Sequence, residues 1–233
     1  MSGLLASVCS VAEARLALAG GADIIDCKNP HQGALGALSV REIRRIVDAV
    51  GGSCPVSAAV GDIPDPMRLD SIIMATHATG ADYLKFGLFN QSHGEKCLDA
   101  VAPLTRHAKL IAVCFADRFD PTPLLPMIAE RRLAGVMIDT ADKASGRLTE
   151  IWSAAQCGRF VAQARQLGLL CGLAGRLQQQ DIAQLLPLRA DYLGFRSALC
   201  GGRRETRLQP EALAQIRNSI PEQCHAGIRA RAV

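Results

Sequence analysis

The sequence predicts a single (β/α)₈ TIM barrel over residues 1–233, and three observations carry that prediction. Eight short apolar or β-rich runs alternate from end to end with segments of helical period. The length of 233 residues is a little under the roughly 250 typical of such barrels and suits one domain with a large core. One pattern also recurs about every two βα units: a helix end, then Ala-Asp, then a strand. It appears as GGADIIDCK, TGADYLKFG and LRADYLGFR, with LAGVMID a weaker relative.

The strands read in order as LLASV (4–8), DIIDCK (23–28), PVSAAV (55–60), DYLKFG (82–87), LIAVCFA (110–116), AGVMID (134–139), LLCGLA (169–174) and DYLGFR (191–196). Between them lie helical patterns. SVAEARLALAGG is capped by Ser10 with Glu13 three residues on, and SVREIRRIVDAV by Ser39 with Glu42 in the matching position. PEALAQIRNSI forms the last amphipathic segment after Gly201, and a tail from Pro221 is expected to fray. A helix after each strand favours a closed barrel over an open doubly wound sheet.

Composition excludes several function classes. A net charge of +4 with 4% aromatic residues provides neither a basic arm nor the stacking platforms that hold single-stranded nucleic acid. Nine cysteines without a C-x-x-C pair read as reduced thiols. No apolar run reaches the roughly 18–20 residues of a membrane span, and the N-terminal segment mixes acidic and basic residues. The expected protein is soluble and cytoplasmic, with no nucleic-acid or membrane partner and room for a homo-oligomer. Five scattered histidines lack zinc spacing, His31 reads as a surface residue, and no G-x-S-x-G, P-loop or G-x-G-x-x-G is present. Neither metal nor cofactor is expected.

Charge at the strand ends is the informative feature, because barrels of this kind build their active sites there. Asp26 and Lys28 stand two apart on the second strand, on one face; Lys85 ends the fourth, Asp139 the sixth with Lys143 four residues beyond, and Arg196 the eighth. Singly, such residues cap turns or point to solvent. Together, three lysines and two aspartates on one rim would tune amine pKa values for Schiff-base chemistry. The glycine-rich stretches GLAGRL and GFRSALCGG follow the seventh and eighth strands, where barrels commonly bind phosphate. They nominate Gly172, Ala174, Gly175, Arg176, Arg196, Ser197, Gly201 and Gly202 as substrate- and phosphate-binding, with Arg203 and Arg204 as added charge or a solvated face.

GGADIIDCKNPHQGALGA, VSAAVGDIP, TGADYLKFGL, GVMIDTADKASGRL and GLAGRL…DYLGFRSALC resemble the (5-formylfuran-3-yl)methyl phosphate synthase family, to about residue 208. The resemblance implies condensation of two glyceraldehyde 3-phosphate molecules to a furan aldehyde phosphate, with loss of phosphate and water, for methanofuran-type cofactors. It implies catalytic roles for Asp26, Lys28, Lys85, Asp139 and Lys143, and Arg176 stands where the family usually carries a small polar residue. The chemistry suggests Lys28 as imine former with Asp26 as its orienter and proton shuttle, Asp139 with Lys143 as a second acid/base pair, and Lys85 as a modulator of charge. Lys85 as imine former, another class I aldolase of phosphorylated sugars, and a non-catalytic sugar-phosphate sensor remain alternatives.

Overall fold

The structure, a computed structural model, describes residues 2–63, 65–142 and 145–221. Lys143 and the tail beyond Pro221 lie outside the described residues. The strands are β1 (Gly3–Val8), β2 (Ile24–Cys27), β3 (Val56–Ala59), β4 (Tyr83–Leu88), β5 (Leu110–Phe115), β6 (Gly135–Asp139), β7 (Leu170–Leu173) and β8 (Tyr192–Phe195). They pair in sequence order, all parallel, and β8 closes on β1 with Leu5 opposite Gly194. Each lies within a residue or two of its sequence-predicted run. The helices are α1 (Val11–Ala19), α2 (Val40–Val50), α3 (Leu69–His77), α4 (Gln91–Val101), α5 (Leu125–Glu130), α6 (Leu148–Ile151), α7 (Ala154–Gln166), α8 (Gln179–Leu185) and α9 (Pro210–Asn218).

The continuous apolar strands follow from burial on both faces. On β5, Ile111, Val113 and Phe115 point into the barrel, while Leu110, Ala112 and Cys114 pack outward against the helices. Inside, Gly172 lets β7 approach the ring of buried Tyr192, since a Cβ there would sit 2.2 Å from Tyr192 Cε2. Gly172→Ala is therefore expected to cost roughly 1–3 kcal/mol through overpacking, read as a lowered denaturant midpoint with an unchanged m-value.

The Ala-Asp echoes have a physical cause at the base of the barrel. Asp23, Asp82 and Asp191 each precede an even-numbered strand, and each accepts from the backbone N–H at the start of the strand before it. The acceptances are from Leu4 at 2.7 Å, Val56 at 2.8 Å and Cys171 at 2.8 Å. In the weaker relative Gly135 holds the corresponding position, where a Cβ would lie 2.4 Å from the Leu170 carbonyl oxygen. The repeat is thus a strand-registering device on the face opposite the charged rim.

The predicted N-caps form, but not as reciprocal boxes. Ser10 and Ser39 accept from the N–H groups of Glu13 and Glu42. The Glu42 carboxylate turns to Arg45, and that of Glu13 to Cys9 N–H and Arg196. Tertiary partners displace the local bond, and at Glu13 this has consequences for the site.

Candidate active site

Alternation carries Asp26, Lys28, Lys85 and Asp139 to one end of the barrel interior, where they line a single cavity that opens to solvent. Ser7, Pro30, Leu35, Met137, Ala174, Gly175, Arg176, Gly194, Phe195, Arg196, Ser197 and Arg204 complete its wall. The charges form two ion pairs at two depths. At the floor, Asp26 and Lys85 are 1% and 2% exposed, and Lys85 Nζ lies against Asp26 Oδ1. Ser57 donates to Oδ1 at 2.7 Å and Ser7 to Oδ2 at 2.9 Å. At the mouth, Lys28 Nζ donates to Asp139 Oδ2 at 3.1 Å, bridging from β2 to the facing strand β6. Asp139 Oδ1 accepts from Thr140 N–H at 2.7 Å.

This arrangement revises the partner expected from sequence. Asp26 and Lys28 share a face, yet Asp139 orients Lys28 and Asp26 belongs to Lys85. The opening for a substrate differs accordingly, with the Lys28 side chain 15% exposed in the cavity wall and Lys85 sealed below it.

Electrostatics separate the two lysines further. Burial, the largest influence, and the nearby charge of Lys28 pull the Lys85 amine below its ordinary range, against the attraction of Asp26. Burial alone would raise the Asp26 carboxyl. The charges of Lys85 and Lys28 and the Ser57 hydroxyl outweigh it and hold the group low and ionised. The floor thus holds a carboxylate beside an amine that releases its proton more readily than a surface lysine.

The glycine loops divide. Ala174, Gly175, Arg176 and Ser197 line the cavity. Gly175 takes φ 109°, and a Cβ there would meet Thr140 Cγ2 at 2.9 Å, so the backbone itself forms that wall. Gly172, Gly201 and Gly202 do not line it. Gly172 packs on Tyr192, while exposed Gly201 and Gly202 have φ of 66° and 96° and turn the chain after the Ser197–Cys200 segment. Close packing at the first and positive φ at the other two account for glycine at these positions without a substrate contact.

Arg196 is held from within the protein. It reaches the cavity wall, but its guanidinium is engaged inside the protein. Nε donates to Arg204 O at 2.8 Å, Nη1 to Glu13 Oε2 at 2.6 Å and Ser7 O at 3.2 Å, and Nη2 to Glu13 Oε1 at 3.2 Å and Thr206 O at 2.8 Å. The pair ties β8 to α1 and fixes the rim. Although burial alone would raise the Glu13 carboxyl, hydrogen bonds from Arg196 and Cys9 N–H hold it below its ordinary 4.5. Because the folded value is depressed, the stabilisation is complete above the unfolded value and is lost as pH falls through the folded one. Glu13→Gln is expected to flatten the decline in denaturation midpoint below about pH 4.5, measured by urea titration across pH.

Sequence reading misses Ser7 and Ser57, whose signal was a hydroxyl at an inward strand position beside a charged neighbour. It also misses the inward pairing of Glu13, hidden by its place in a capping pattern, and the reach of Arg204 across the rim, which leaves no local signal.

Residues 4–217 match the family model described as 4-HFC-P synthase. The chain belongs to the 4-HFC-P synthase family. Every described cavity residue, from Ser7 to Arg204, falls inside the matched span. A (5-formylfuran-3-yl)methyl phosphate synthase of Methanococcus maripaludis (strain C7) is 35% identical over 228 residues, covering 91% of this chain and 97% of its own. That of Methanocaldococcus jannaschii is 33% identical over 229 residues, covering 92% and 97%. A Methylorubrum extorquens protein, provisionally assigned the same name, is 38% identical over 229 residues, covering 98% and 94%. Among solved structures, phosphoribosyl anthranilate isomerase of Thermus thermophilus superposes with a TM-score of 0.64 at 17% identity, covering 94% of this chain and 98% of its own. For 3-hexulose-6-phosphate synthase of Salmonella typhimurium the values are 0.62, 16%, 93% and 98%. At such identities these two share the 4-HFC-P synthase family's barrel and nothing more specific. Among the described residues no helix is long and apolar enough to cross a membrane.

Proposed function

We propose that this family member condenses two molecules of glyceraldehyde 3-phosphate into (5-formylfuran-3-yl)methyl phosphate, releasing phosphate and water, through an imine on Lys28. The observation that carries the reading is the two-tier charge arrangement: a cavity-facing lysine held by Asp139 above a sealed lysine–carboxylate pair. Lys28 adds through its Nζ lone pair to the carbonyl carbon of one triose phosphate, and loss of water leaves the imine. Removal of a proton from the adjacent carbon gives an enamine, whose carbon bonds to the aldehyde carbon of the second triose. Elimination of one phosphate and dehydration then close and unsaturate the ring, and water hydrolyses the imine to free the product and the Lys28 amine.

These later steps need groups that accept and return protons without leaving the site. Asp26 and Lys85 fit at the floor, since one is held ionised and the other is pulled toward its neutral form. Asp139 fits at the mouth, and Lys143, four residues on, is proposed to share its work. The backbone of 174–176 and Ser197 supports one phosphate.

The test is incubation of the purified protein with glyceraldehyde 3-phosphate alone, followed by absorbance and by mass spectrometry after borohydride. A furan chromophore and a triose adduct on Lys28 are expected. An aldol sugar phosphate without a furan would instead assign the chain to the class I aldolases.

A further inference from the structure

Besides Arg176, two arginines reach the cavity wall, and they do so in opposite states. Arg196 is saturated by Glu13 and backbone carbonyls. Arg204 crosses the rim from the loop after the Ser197–Cys200 segment and donates from Nε to Pro30 O at 2.9 Å and from Nη2 to Gly33 O at 3.0 Å. Nη2 also contacts Pro30 O. Among the described residues, no hydrogen bond or ion pair engages its Nη1. The carboxylate at ion-pair distance, Glu205 at 3.7 Å from Nε, is half exposed and adjacent in sequence.

We infer that Arg204 binds the phosphate of the second triose phosphate, at a subsite separate from the one formed by residues 174–176 and Ser197. The inference rests on the two-triose reading above. Each triose phosphate brings a dianion, and two dianions cannot share one backbone cradle. Ala174, Gly175, Arg176 and Ser197 lie over β7 and β8, while Arg204 reaches the loop after β2, two to three strands round the rim. The other cations on that side are committed. Lys28 pairs with Asp139 and forms the imine, Lys85 is sealed with Asp26, and Arg196 is saturated.

The Arg204 fork suits the role chemically. Its two bonded nitrogens hold the 29–36 loop by carbonyls, which carry no net charge to neutralise the guanidinium. Nη1 keeps two N–H hydrogens for a phosphate oxygen. A phosphate bound there would add a contact without breaking the tether.

The test titrates inorganic phosphate into the full-length protein, followed by calorimetry and phosphorus NMR, for wild type, Arg204→Ala and the exposed same-loop control Arg203→Ala. Two sites are expected in wild type and Arg203→Ala, and one in Arg204→Ala. In turnover, Arg204→Ala should require about 10- to 100-fold more triose phosphate for half-maximal furan formation, the size expected for lost charged hydrogen bonds. Its borohydride-trapped adduct on Lys28 should persist, because the first triose does not use Arg204. One phosphate site in wild type, or two retained in Arg204→Ala, would overturn the inference. So would parallel loss of adduct, furan and thermal stability, which marks a purely structural tether. Loss of the second site on Arg204→Ala with no trappable imine in any protein would leave this subsite standing and remove the imine mechanism instead.

Discussion

Lys28→Arg is expected to reduce furan formation to the uncatalysed background and to remove the borohydride-trapped adduct. Arginine keeps the charge and can still reach Asp139, but it does not deprotonate in a protein and cannot form an imine. Lys85→Arg should behave differently. Lys85 is 2% exposed beneath the cavity, so a guanidinium must be forced into packed space at roughly 1–3 kcal/mol. The folded fraction should turn over slowly yet still trap the triose on Lys28. Asp26→Asn keeps the shape and removes the carboxylate, and should lower the rate by about 10²–10⁴-fold. Mass spectrometry of each folded variant, after reduction in the presence of glyceraldehyde 3-phosphate, separates the cases. Should Lys28→Arg carry the adduct and Lys85→Arg lack it, the two lysines exchange roles.

The contrast between these variants also shows where sequence reading stops. Strand positions were legible because β5 and its neighbours are apolar on both faces over five or six residues, and helical patterns intervene. The shared rim was legible because period-two alternation and a common strand direction place Asp26, Lys85 and Asp139 without any long-range information. Partner choice was not. Lys28 meets a carboxylate 111 positions away across the closed ring, whereas Asp26, only two residues off, is drawn to Lys85 and two hydroxyls. Which of two acids a lysine selects depends on barrel diameter and strand stagger, quantities that no local pattern encodes. Arg196 and Glu13 make the same point in reverse. Each carries a familiar local signature, a strand-end cation and a capping acid, and each is redirected by the other.

The second large effect should come from breaking the floor pair. Lys85→Met leaves the Asp26 carboxylate buried with only Ser7 and Ser57 as close partners, and removal of one partner from a buried ion pair typically costs roughly 3–5 kcal/mol. Replacing both, as Asp26→Asn with Lys85→Met, should restore most of that loss, because a neutral amide can still bond both serines and no charge remains uncompensated. The double variant should fold and have no furan synthesis. The pH dependence distinguishes this from a simple packing defect. In wild type Asp26 is held below its ordinary value of 3.8, so its stabilising contribution is present above that value and is lost as pH falls through the folded value. In Lys85→Met the largest lowering influence is gone and burial raises the carboxyl instead. The penalty then applies at neutral pH and is relieved as acid protonates the group. The stability gap between wild type and Lys85→Met, measured by urea denaturation, should therefore narrow from pH 7 toward pH 5, and the double variant should show little such change. A gap that stays constant with pH would mean that Asp26 does not carry an uncompensated charge once Lys85 is removed.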